Sequence, residues 1–180
     1  MEPQASFVLM DPHTGEVLAL TGGRGEKKQS KTLNRASNVL RQPGSTFKII
    51  TSFAPAIDLY GATLASTYYD SEYTLGNKTF KNWYSGGYLG FQSIRDGIVY
   101  SLNIVAVRCL METVKPERGY QYAESLGITS LVKDDENPAL ALGGLTRGVS
   151  NLELTQAFSA IANGGELEKA KSAFESLEEI

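Results

Sequence analysis

Short apolar runs open the chain, and apolar residues at helical spacing dominate the remainder. Ser6–Met10 and Glu16–Thr21 are apolar and strand-length. Asp11-Pro12-His13-Thr14-Gly15 between them has turn composition, so the pattern predicts an antiparallel hairpin. Phe47, Ile50, Phe53, Ala54 and Ile57 recur at near-helical spacing and predict a central helix over 45–58, kinked or shortened by Pro55. Residues 59–92, rich in Gly, Tyr, Thr, Ser and Asn, predict a long surface excursion. It holds two short strands, Glu72–Leu75 and Lys78–Phe80, about a Gly76-Asn77 turn, with Tyr84 and Tyr88 expected to pack it down rather than line a cleft. Ser93-Ile94-Arg95-Asp96 is a capping-box variant that opens a helix. The pattern stutters at Tyr100-Ser101-Leu102-Asn103 and resumes as apolar helix from Ile104 to about Val114. That interruption predicts a tight interhelical turn, where Ser101 and Asn103 either project to one side or simply cap the second helix. Further helices are expected at Glu117–Ser125, ended by Gly127, and from the capping box Ser150-Asn151-Leu152-Glu153 to about Ala162, where Asn163-Gly164-Gly165 stops it. Asn137–Gly144 reads as an apolar, glycine-ended loop, and Glu166–Ile180 as an amphipathic helix with Leu167, Ala170, Phe174 and Leu177 on one side.

Length and composition narrow the class. A chain of 180 residues with 42% apolar content suits one domain with a real core. The expected division is a domain over 1–165 and a tail over 166–180. A net charge of −3 gives no reason to expect a nucleic-acid or polybasic membrane surface. The tail holds five glutamates against two lysines, while the rest balances at 15 acidic and 15 basic residues. A single cysteine, Cys109, excludes an internal disulfide and sits in an apolar run, where it reads as a small buried hydrophobe. No run approaches the ~18 apolar residues of a membrane span and no signal peptide is visible, so the reading is a soluble piece whose parent has room for an anchor left out.

Candidate chemistry is found by elimination. The lone histidine, His13, lies in the hairpin turn, which disfavours a Ser-His-acid triad, and no Gly-x-Ser-x-Gly elbow exists. A zinc site needs a His/Cys cluster that this composition lacks, and no cofactor is expected. Gly22-Gly23-Arg24-Gly25 lacks the Gly-Lys-Ser/Thr ending of a phosphate loop. Paired carboxylates for glycoside cleavage stay open, although no acidic pair sits in a distinctive setting. Serine–lysine chemistry also remains. Pro43-Gly44 turns the chain and delivers Ser45 to the start of an apolar helical run, with Lys48 three residues on and on the same face. Burial beside Phe47 and Ile49 would lower the Lys48 pKa and suit it as a base. With 16 serines and 10 lysines, about one Ser-x-x-Lys arises by chance, and Ser130-Leu131-Val132-Lys133 is a second. That one lies beside Asp134-Asp135-Glu136, where its lysine stays solvated and protonated.

The order Ser45-x-x-Lys48, then Ser101-x-Asn103, resembles the first two of three motifs shared by penicillin-binding proteins and serine β-lactamases. Asp11-Pro-His-Thr-Gly-Glu-Val-Leu-Ala-Leu, Gly22-Gly-Arg, Asn34-Arg-Ala, Arg41-Gln-Pro-Gly-Ser-Thr-Phe-Lys, Tyr100-Ser-Leu-Asn and Leu140-Ala-Leu-Gly-Gly look like the transpeptidase domain of class A penicillin-binding proteins, over about residues 4–165. The resemblance implies an α+β fold with helices packed on an antiparallel sheet. It implies that Ser45 is the acylated nucleophile, Lys48 its proton acceptor, Ser101 a relay to the leaving amine, and Asn103 a holder of the substrate amide. It further implies a peptidoglycan stem peptide ending in D-Ala-D-Ala as substrate, β-lactams as trapping mimics, and a place on the outer face of the bacterial cytoplasmic membrane.

The third motif, Lys-Thr/Ser-Gly, is absent from this chain. The resemblance places an oxyanion N–H and a carboxylate anchor on that strand. Losing one oxyanion donor costs about 10²–10³ in rate. The expectation is therefore a transpeptidase domain truncated before the motif, impaired alone, with an incomplete sheet and an exposed edge. It leaves room for a second chain or segment to supply the missing strands. Two other readings stand beside it. One is a non-catalytic module of the same fold, which rapid acylation of Ser45 would exclude. The other is a β-lactamase or β-lactam sensor, which the rate of deacylation would separate.

Overall fold

The computed structural model describes residues 3–26 and 32–172. In chain order the regular elements are β1 (Phe7–Met10), β2 (Glu16–Thr21), α1 (Ala54–Tyr60), β3 (Thr67–Asp70), β4 (Tyr73–Leu75), β5 (Lys78–Phe80) and β6 (Gly90–Ser93). They continue with α2 (Ile94–Val99), α3 (Asn103–Arg108), α4 (Pro116–Ser125), α5 (Asn151–Ala162) and β7 (Lys171–Ser172). Helices with small sheets make the chain α+β. It divides into two compact units, one of Met1–Gln42, Glu124–Leu131 and Arg147–Ile180, the other of Pro43–Ala123 and Val132–Thr146.

The first unit is a small sheet with α5 on β1. β1 and β2 form the expected hairpin, pairing Phe7 with Thr21, Val8 with Leu20 and Leu9 with Ala19 before a shift pairs Met10 with Val17. Asp11 Oδ1 closes the turn by accepting from the His13 and Thr14 amides at 2.8 and 3.2 Å. His13 also reaches Asn163 Oδ1 at 2.7 Å, tying the turn to the end of α5. The Ser150 capping box forms as predicted, with Glu153 Oε2 accepting from the Ser150 amide at 2.8 Å. The other carboxylate oxygen accepts from the Thr129 and Ser130 amides at 2.9 Å each, so one side chain caps the helix and pins a distant loop.

The expected terminal helix does not form over residues 166–172. Residues 166–170 carry no helix, and Lys171–Ser172 pairs parallel to Glu16–Val17. The Lys171 amide donates to Gly15 O at 3.0 Å, so a main-chain acceptor beside β2 prevails over the amphipathic pattern. The remainder of that expected helix, 173–180, lies outside the described residues.

The second unit is mainly helical, around Phe47, Ile50, Phe53, Ile94, Leu102, Ile104, Leu110 and Leu140, all at most 1% exposed. The central run from Gly44 is three geometries in series: a 3₁₀ turn over Gly44–Thr46, a π-helical turn over Ile49–Phe53, then α1. Phe47, Ile50 and Phe53 are buried as the periodicity predicts, but the burial then passes to Pro55 and Ala56 and leaves Ile57 39% exposed. Pro55 follows the π-helical turn and has no N–H to give the Thr51 carbonyl. Gly119 on α4 packs directly on that carbonyl: a Cβ there would stand 2.6 Å from Thr51 O.

The excursion over 59–92 contains the expected hairpin, β4 with β5, and a second antiparallel pair, β3 with β6, that the pattern did not predict. Its aromatics only partly pack down. Tyr84 is half-buried, whereas Tyr88 and Trp83 are 40% and 70% exposed. The Trp83 ring is held by its polar end, with Nε1 donating to Tyr100 O at 3.1 Å. α2 opens with the predicted Ser93–Asp96 capping box, and α3 begins at Asn103 and runs on as a π-helical turn over Cys109–Val114. Cys109 is fully buried, and burial pushes its thiol up to about 11.

Candidate active site

Four residues named from the sequence, Ser45, Lys48, Ser101 and Asn103, lie in the second unit. Ser45 is exposed in the 3₁₀ turn that Pro43 (φ −72°) and Gly44 (φ +59°) create. Left-handed backbone at Gly44 costs nothing without a Cβ. The turn is braced by a 3₁₀ helix over Pro138–Leu142, ended by Gly143 at φ +67°. A Cβ on Gly143 would stand 2.4–2.9 Å from the Gly44 backbone, so the Leu140-Ala-Leu-Gly-Gly stretch, read as a loop, seats the serine turn from behind.

One helical turn later Lys48 is 2% exposed. Its Nζ donates to Ser101 O at 2.6 Å, Asn103 Oδ1 at 2.7 Å and Ser101 Oγ at 3.0 Å. The structure thus brings Lys48, Ser101 and Asn103 together. The Ser45 hydroxyl is not among the hydrogen-bond partners of Lys48, which is turned toward the second motif. Among the described residues no carboxylate is a partner either, and burial lowers the Lys48 pKa from 10.5 to about 8. As an ammonium it donates all three hydrogens. As an amine it donates to the two carbonyl oxygens, which can only accept, and its lone pair faces the Ser101 hydroxyl.

The second motif is built by backbone strain and by borrowed partners. Ser101 has φ +51°, left-handed for a residue with a Cβ, which turns both its carbonyl and its hydroxyl toward Lys48. Asn103 does not cap α3. Its Nδ2 donates to Lys81 O at 2.9 Å, which orients the amide and leaves Oδ1 for the lysine. Leu102, at the N-cap, has no side-chain acceptor. The role is filled from 21 residues upstream by Asn82, whose Oδ1 accepts from the Asn103 amide at 2.9 Å and the Ile104 amide at 3.3 Å. Asn82 was not among the residues named from the sequence. The legible signal was indirect: an apolar residue where a helix needs a polar cap.

The second Ser-x-x-Lys is dispersed. Ser130 Oγ donates to Gly148 O at 3.0 Å. Lys133 pairs with Glu136 at 2.6 Å with its side chain 80% exposed, and this bond raises its pKa. Among the described residues no group of three or more His, Cys, Asp or Glu side chains is placed to hold a metal ion.

Comparison with known proteins identifies the family. A family model of the penicillin-binding protein transpeptidase domain matches residues 5–173. Penicillin-binding protein 1A of Clostridium botulinum (strain Langeland) is 36% identical over 182 residues, covering 94% of this chain and 22% of that protein. Penicillin-binding protein 1F of Bacillus subtilis is 40% identical over 162 residues, covering 90% and 22%. The chain therefore spans about a fifth of the length of these relatives. Among solved structures, penicillin-binding protein 1A from Haemophilus influenzae superposes with a TM-score of 0.78 at 28% identity, over 92% of this chain and 24% of that one. By its sequence and by its fold, the chain belongs to the penicillin-binding protein transpeptidase domain family.

Proposed function

We propose that this chain carries the acyl-transfer half-site of a peptidoglycan D,D-transpeptidase, with Ser45 as nucleophile. The observation that carries the reading is a buried lysine with no carboxylate among its partners, one helical turn from an exposed serine and bonded to Ser101 and Asn103. In the proposed reaction the Ser45 oxygen attacks the carbonyl carbon of the penultimate D-Ala of a stem peptide. Lys48, as the amine and with its lone pair swung from Ser101 to the Ser45 hydroxyl, takes the Ser45 proton. Collapse of the tetrahedral intermediate breaks the C–N bond, and the terminal D-Ala leaves as an amine after receiving a proton from the Lys48 ammonium through the Ser101 hydroxyl, 3.0 Å from Nζ. An amine on a neighbouring stem then attacks the ester and restores the Ser45 hydroxyl. Asn103, with one amide hydrogen on Lys81 O, has its second N–H for the substrate carbonyl. A β-lactam follows the first half of this path and stays on Ser45. The reading places the domain outside the cytoplasmic membrane, where stem peptides are cross-linked. No helix among the described residues is long and apolar enough to cross a membrane.

Labelled penicillin followed by peptide mass mapping tests the assignment. The expected adduct is on Ser45, is abolished by Ser45→Ala, and persists for hours, since a β-lactamase would release it quickly. Label on Ser130, or no label even when the Lys-Thr-Gly region of a relative is supplied, would overturn it.

A further inference from the structure

We propose that Asp70 and Asn82 form a positioning pair that holds Asn103 and Ser101 against Lys48. The inference rests on the acyl-transfer reading for its functional meaning, and on the hydrogen bonds of the second unit for its geometry.

α3 starts with two amides, those of Asn103 and Ile104, that no neighbouring side chain satisfies. Asn82 Oδ1 accepts from both, at 2.9 and 3.3 Å. An asparagine amide is symmetric enough in shape to turn over, and turned over it would present N–H to N–H. Asp70 prevents that. It is 1% exposed, and its Oδ1 accepts from Asn82 Nδ2 at 2.8 Å while Oδ2 accepts from the Leu89 amide at 2.9 Å. Acceptor-only oxygens on Asp70 dictate which end of Asn82 faces the helix. Residues on either side of Asn82 bind the same turn: Lys81 O receives Asn103 Nδ2 at 2.9 Å, and Trp83 Nε1 donates to Tyr100 O at 3.1 Å. Three consecutive residues thus grip the segment that bends through the left-handed Ser101. The strain at Ser101 needs such an outside hold. If the first turn of α3 frays, Asn103 Oδ1 and both Ser101 oxygens leave Lys48 together.

The chemistry supplies its own control, because the pair can be exchanged. Asn82→Asp alone sets two carboxyls face to face. Asp70→Asn alone cannot satisfy the Asn82 N–H and the Leu89 N–H at once. Made together, Asp70→Asn with Asn82→Asp restores the bonds named above: the new asparagine donates to the new aspartate and accepts from Leu89, and the aspartate accepts from both α3 amides, while at the Tyr84 hydroxyl, to which Asn82 Nδ2 donates at 3.3 Å, the aspartate accepts instead.

In the full chain, amide hydrogen exchange at Asn103 and Ile104 is expected to quicken at least tenfold in each single variant and to return to the parent rate in the exchanged pair. The Lys48 titration, followed by ¹³C NMR at Cε, should move up from about 8 in the single variants as water reaches the amine, and return in the pair. Unchanged exchange and titration in the single variants would overturn the proposal. So would lowered Tm alone, which marks a merely structural tie, or failure of the pair to restore either signal. If the single variants do not fold, Asn82→Ala, which buries no second carboxyl, takes their place in the same comparison. Penicillin labelling of the same proteins separates the two readings. Absence of label in the parent would defeat the acyl-transfer assignment, while exchange and titration would still judge the pair.

Discussion

Lys48 draws its three hydrogen-bond acceptors from one turn, two from Ser101 and one from Asn103, all neutral. A buried cation without a counter-charge is stabilised less than one in water, and this is why its pKa falls. If Lys48 is the base, acylation of Ser45 by a neutral β-lactam should rise with pH and level off above about 8, as stopped-flow labelling across pH 6–10 would show. Lys48→Arg keeps the charge and removes the base, so acylation should drop by about 10²–10⁴-fold with Tm as the check on folding. Stability carries the same signature. The folded pKa lies below the 10.5 of the exposed side chain, so between about pH 8 and 10.5 the unfolded chain binds the extra proton. Lys48 therefore makes the folded state more stable as pH rises through that window, and Lys48→Met should flatten that rise in denaturant titrations.

At the scale of elements, two joints depend on contacts that tolerate no added atom or lost charge. Gly143→Ala would drive a Cβ into the Gly44 backbone and also force an unfavourable φ. A loss of about 1–3 kcal/mol is expected in chemical denaturation, with Ser45 acylation falling as the turn shifts. Glu153 joins the N-terminus of α5 to Thr129 and Ser130. Burial pushes its carboxyl pKa up, but hydrogen bonds from Ser150 and Thr129 outweigh this and hold it below 4.5. A lowered carboxyl pKa stabilises the fold above pH 4.5 and loses that contribution as pH falls through the folded value. Glu153→Gln should lower stability at pH 7 and shrink the acid sensitivity between pH 5 and 3, read by urea midpoints.

For the whole molecule, the exposed apolar surface is the distinguishing property. Phe7, Leu9 and Leu18 are 55%, 48% and 58% exposed on strands, and among the described residues β1 pairs with β2 alone. An open apolar edge templates further pairing. Concentrated solutions of this chain are expected to self-associate, and Phe7→Lys with Leu9→Lys should suppress that in sedimentation velocity. Much of the remaining architecture is legible in the sequence where the cause is local. The hairpin follows from two apolar runs about an Asx turn, and both capping boxes follow from serine and an acid three apart. Lys48 comes one helical turn after Ser45, as their i and i+3 spacing requires. The features that the pattern misses have non-local causes: the pairing of β3 with β6 and of 171–172 with β2.

The amino-acid sequence by itself determined the family and the pair of motifs, because residue types at short spacings encode turns, caps and shared helix faces. The tertiary structure alone decided what those motifs do to each other. It bonded Lys48 to Ser101 and Asn103, put Gly143 behind Gly44, and gave α3 a cap from Asn82. Each of these joins groups separated by 21 to 99 positions. A hydrogen bond or a close backbone approach across such a distance leaves no period in the sequence, since it depends on where the chain returns and not on how it is locally wound.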